Sequence, residues 1–106
     1  MELSLKDLKE LLGNDEHKSR YALKVGSKYL FRTVTMIYTG ELLDETKEYF
    51  AVINAAWIAD SGRWADNLVS CSFNEVEPYP DDKVVLIYKS GMLDVVNIDN
   101  LPRKQK

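Results

Sequence analysis

The run Y-F-A-V-I-N-A-A-W-I-A-D-S-G-R-W, Tyr49 to Trp64, carries no charge from Tyr49 to Ala59 and then stops at a turn holding Asp60, Gly62 and Arg63. Its first part reads as a strand over Tyr49 to Ile58. Tyr49, Ala51, Ile53, Ala55 and Trp57 fall on one side and Phe50, Val52, Ala56 and Ile58 on the other, with Asn54 the exception. A strand that is apolar on both faces is buried on both faces. In a chain of 106 residues the second cover is expected from an amino-terminal helix or from another subunit. Phe50, Val52 and Trp57 are accordingly expected in an oligomer contact.

Upstream of this run, Lys28 to Leu43 reads as one long strand rich in β-branched and aromatic residues. Gly40 lies inside it, and a glycine within a long strand marks a bend or bulge. Tyr21, Leu23 and Val25 alternate ahead of Gly26-Ser27, and Asp44 to Glu48 reads as a charged turn. Met1 to Asn14 predicts a short helix, with Ser4 at its cap, Gly13 at its end, and Leu5, Leu8, Leu11 and Leu12 on one face. So short a helix does not persist in water alone. Its leucine face is expected to dock on the domain or on a neighbouring subunit.

Downstream, G-R-W-A-D-N-L predicts a helical turn that Asp60 or Ser61 would cap, followed by a short strand from Val69 to Phe73. Asn74 to Asp82, with Pro78 and Pro80, reads as a loop. Lys83 to Lys89 and Met92 to Ile98 read as strands joined by a two-residue hairpin at Ser90-Gly91. One domain is expected over residues 1–102, then a mobile basic tail over 103–106. The sum is a mainly β protein, a small, strongly bent antiparallel β barrel of the SH3-like or Sm-like type with a short amino-terminal helix.

Composition narrows the function. The chain is 45% hydrophobic and 29% charged, an ordinary globular balance. No apolar run approaches the ~20 residues of a membrane span. The start M-E-L-S-L-K lacks the layout of a signal peptide. A cytoplasmic location with no membrane association is therefore expected. The net charge is −3, and Arg103, Lys104 and Lys106 supply three of the 14 basic residues, so the body without them stands at 11 basic against 17 acidic. That sign is wrong for a face that tracks duplex nucleic acid. One cysteine and one histidine exclude a disulfide and most transition-metal sites, and no metal or cofactor is expected.

Two resemblances follow from particular residues. Y-L-F-R-T-V-T-M-I-Y-T-G-E-L, Tyr29 to Leu42, together with N-A-A-W-I-A-D-S-G-R-W and N-E-V-E-P, resembles a group of small phage and prophage proteins that carry no assigned activity. Gly40-Glu41-Leu42 with the acidic turn and Asn54-Ala55-Ala56, and Lys89-Ser90-Gly91 further on, are similar in layout to the two motifs of Sm-like RNA-binding proteins. The second resemblance implies a barrel and oligomers. The turn lacks the methionine-asparagine pair of those proteins, and Asn54 replaces their acidic residue.

The candidate ligand site is Asp60, Ser61, Gly62, Arg63 and Trp64. Turn amides can hold an anion, Arg63 can grip a phosphate or carboxylate, and Trp64 can stack on a planar base, a set suited to a nucleotide-type ligand. The alternative is structural: Asp60 caps the turn and pairs with Arg63, while Trp57 and Trp64 fill the core. Arg32 stands among apolar positions, so it needs either a ligand anion or an acid such as Asp60, Asp66 or Glu75. No Ser-His-Asp set, phosphate loop or metal spacing supports catalysis. The expectation is a non-enzymatic, phage-derived binding protein that forms homo-oligomers. It would act in host interaction or anti-defence by sequestering a nucleotide or blocking a host protein. The alternatives are a virion or assembly component and an Sm-like binder of single-stranded RNA.

Overall fold

A computed structural model describes residues 19–106, and the helix expected over Met1 to Asn14, with Leu5, Leu8 and Leu12, lies outside them. The described residues are mainly β, with strands β1 (Lys28–Thr33), β2 (Ile37–Glu45), β3 (Tyr49–Asp60), β4 (Glu75–Pro78), β5 (Val85–Tyr88) and β6 (Met92–Asn97), and a helix α1 (Trp64–Ser70) between β3 and β4. All pairings are antiparallel. The order is β4-β3-β2-β1-β6, with β5 also on β3. The sheet is open: its order ends at β4 and β6, and neither β4 nor β5 pairs with β6.

The long strand expected from Lys28 to Leu43 is instead a hairpin. Thr33 folds the chain back: its amide donates to the Met36 carbonyl at 2.8 Å, and its hydroxyl accepts from the Met36 amide at 2.9 Å. The apolar character of Val34 and Met36 conceals this turn, because their side chains belong to the turn and not to a ladder. At Ser90-Gly91 the error runs the other way. Lys89–Gly91 is a turn of 3-10 helix that carries the chain from the β3 edge to the β1 edge, so β5 and β6 are not a hairpin.

β3 is the spine, flanked by β2 on one side and by β5 then β4 on the other. Asn54, at φ 51°, inserts one extra residue opposite Gly40. This bulge flips the phase of the strand. Before it, Phe50 and Val52 enter a core with Tyr29, Phe31, Leu42 and Ile87, which Ala55 then joins. Beyond it, Ala56 and Ile58 enter a second core with Leu30, Phe73, Val76 and Ile98. Gly40 marks the bend as expected, and its lack of a side chain is required, since a Cβ there would lie 2.8 Å from Val52 Cβ.

The two apolar faces of β3 are thus covered by this chain itself. Trp64, Leu68 and Cys71 of the α1 region and Leu101 pack over the second core. A subunit contact is not needed to explain them. Val69 and Ser70 end α1, Cys71 closes it at φ 56°, and the strand expected over Val69 to Phe73 does not form. The segment read as a loop contains β4 instead, an edge strand that tolerates Pro78 at its end.

The tail is docked. The Arg103 guanidinium donates to the carbonyls of Ala55 (2.6 Å) and Tyr79 (2.8 Å) and to the Asp81 carboxylate (2.6 Å). Lys106 exchanges both backbone hydrogen bonds with Val76.

Candidate functional site

The turn after β3 is held by its own polar groups. The Asp60 carboxylate accepts the Gly62 amide at 2.9 Å, and the Asp60 carbonyl accepts the Asn74 amide at 3.0 Å. Asn67 donates to the Ser61 carbonyl at 2.7 Å. Gly62 sits at φ 72°, where a Cβ would lie 2.6 Å from Asn74 Oδ1. These contacts shape the passage from β3 into α1. Asp60 therefore braces the turn and does not cap α1, whose cap residue is Arg63 without a side-chain hydrogen bond.

Arg63 is exposed, and Trp64 turns inward against the second core. The two therefore do not converge on one ligand volume. The helix behind them has seven residues, too little to supply an anion site by its dipole. The predicted segment is assembled as a turn held by Asp60 with Asn67 and Asn74.

Arg32 meets none of the acids the sequence suggested. β1 and β6 place it directly opposite Asp94, and the two side chains form a bidentate pair. The pair is two-fifths exposed, so Arg32 is not a buried charge in need of an anion. Its guanidinium also lies 5.3 Å over the Trp64 ring, which covers one face of that indole.

Arg32 opens instead onto a groove that no motif announced. The β1-β2 turn, the end of β3 and β6 enclose a cleft of about 390 Å³ lined by Arg32, Val34, Met36, Trp57 and Leu93 among others. Large apolar side chains stand open here: Val34 is 73% exposed, Leu93 60% and Trp57 38%. Of the described residues expected in an oligomer contact, Phe50 and Val52 are buried in the first core, and only Trp57 reaches the surface. The signal for this site was the hairpin. With Lys28 to Leu43 taken as one strand, Val34 has no reason to meet Trp57 or Leu93.

Tyr38, next to Trp57 across the β2-β3 ladder, has its phenol pKa pushed up, first by burial and then by the neighbouring Tyr79. Its hydroxyl rests 3.0 Å from Met36 Sδ. No group of three or more metal-ligating side chains occurs among the described residues, and no helix there is long and apolar enough to cross a membrane. Compared with protein-family models, with curated proteins and with solved structures, the chain gives no match.

Proposed function

We propose that this chain is a binding protein without catalytic activity and that the cleft at the β1-β2 turn takes the apolar side chain of a protein partner. The observation that carries this reading is the exposure of Val34, Trp57 and Leu93 about one cleft with the Arg32–Asp94 pair at its rim. A tryptophan set in a cleft is the type of side chain that dominates binding energy at protein interfaces, while a charged pair at the rim bears on specificity and encounter. A nucleotide is less well served, because Arg32 is already neutralised by Asp94 and Trp64 is covered.

The resemblance to phage proteins supports a partner in the host, so the binding would block a host protein. Homo-oligomers formed through the Trp57 cleft are the second reading, favoured by the same exposed side chains.

A photo-cross-linking residue at Leu93, with one at Val69 as control, tests the proposal in cells that express the chain. Val69 is 82% exposed and not part of the cleft. A discrete adduct from position 93 alone, lost in Trp57→Ala, is expected. Equal adducts from both positions would overturn it, and an adduct at twice the chain's own mass would favour the oligomer.

A further inference from the structure

The outer edge of β4 carries its own occupant. Val76 donates its amide to the Lys106 carbonyl at 3.3 Å and accepts the Lys106 amide at 3.0 Å, the reciprocal pair of an antiparallel ladder. Gln105 reaches the Glu77 carboxylate at 3.5 Å, and Lys106 Nζ donates to the Ser72 hydroxyl and the Phe73 carbonyl. The strand offers two exposed carboxylates, Glu75 and Glu77, on either side of Val76, and the segment laid on it is Arg103-Lys104-Gln105-Lys106. The edge and the segment laid on it are thus of opposite charge, joined by the Val76–Lys106 backbone pair and the Gln105–Glu77 contact.

Only Val76 of β4 is engaged in this way, and Lys104 is exposed. The anchor lies elsewhere, because Arg103 binds the Ala55 and Tyr79 carbonyls. Residues 104–106 can therefore lift from β4 while Arg103 stays in place. Beside the contact is a cleft of about 370 Å³ lined by Cys71, Phe73, Val76 and Leu101 and walled on one side by Lys104 and Lys106 of the tail, with room for an apolar side chain that the tail does not provide.

We propose that the β4 edge is a docking strand for a basic extended peptide carrying one apolar residue, and that the chain's own residues 104–106 occupy it in its absence. Addition of a strand to a sheet edge provides main-chain hydrogen bonds, while the flanking charges and the cleft select the sequence. The tail also protects an open edge from indiscriminate pairing. Competition from the tail scales the apparent affinity down to the intrinsic affinity multiplied by the fraction of molecules in which it has lifted. This surface is separate from the Trp57 cleft and does not depend on that reading.

The probe is a fluorescein-labelled peptide of the chain's own sequence Leu101 to Lys106, titrated against the full chain by anisotropy. Lys106→Pro removes the amide that bonds Val76 and leaves the Arg103 anchor. Gln105→Pro is a second route to the same release, and indole fluorescence checks that either variant is folded. Release of the tail should tighten binding by about 10-fold over the unmodified chain. Adding Glu75→Lys and Glu77→Lys should abolish that gain, and binding should weaken with salt. Affinity that is the same with and without tail release, or that survives both charge reversals, would overturn the proposal.

Discussion

Gly62 shows how much of the candidate turn is backbone chemistry. At φ 72°, with Asn74 Oδ1 only 2.6 Å from where a Cβ would stand, it suits no other residue. Gly62→Ala should cost about 1–3 kcal/mol, read as a lower urea midpoint with an unchanged slope. Thr39 is the opposite case. It is fully buried opposite Leu30, and its hydroxyl has no hydrogen-bond partner. Replacing such a group by an isosteric apolar one is neutral or favourable, so Thr39→Val should raise stability by up to ~1 kcal/mol in the same titration. The sequence exposed Gly62 as a special residue because Ser-Gly after an apolar run marks a turn. It could not separate an anion-binding turn from a self-satisfied one, since the deciding partners, Asn67 and Asn74, come from α1 and the approach to β4.

Among the elements, β3 was legible because an uncharged run from Tyr49 to Ala59 is too long to lie mostly in solvent, and Gly40 correctly marked the bend. The Asn54 bulge was not legible. Its effect is a phase change that makes the strand look apolar on both faces in sequence, which then suggested a subunit where α1 and Leu101 already provide cover. The tail was misjudged for a related reason. Basic residues at a chain end usually remain in solvent, yet Arg103 finds the Tyr79 carbonyl, the Ala55 carbonyl that also accepts the Tyr79 amide, and an acid, all from distant parts of the chain. Arg103→Ala should cost about 2 kcal/mol, and Arg103→Lys should recover little of it, because an ammonium cannot span the forked set of acceptors. Thermal unfolding of the two variants checks this. The Arg32–Asp94 pair is exposed enough that Asp94→Asn should change stability by under ~1 kcal/mol.

At the scale of the molecule, two cores on opposite faces of one open sheet leave a cleft where the β1-β2 turn, β3 and β6 meet. The stability of this arrangement should fall at alkaline pH. Burial raises the Tyr38 pKa in the folded state, with Tyr79 adding to it, against about 10 in the unfolded chain. The neutral phenol's contribution is complete below pH ~10 and is lost as pH rises through the folded value. Tyr38→Phe should flatten that part of the decline in urea unfolding above pH ~10. The cleft was out of reach of the sequence because it is made by residues far apart in the chain, brought together only by a turn at Val34 that reads as strand. The central claim is that Trp57 anchors a protein partner. The most direct measurement is the dissociation constant of the partner cross-linked at Leu93 for the unmodified chain and for Trp57→Ala. An anchor of this kind predicts a loss of at least ~30-fold, about 2 kcal/mol, with the melting temperature nearly unchanged. An unchanged dissociation constant would contradict it.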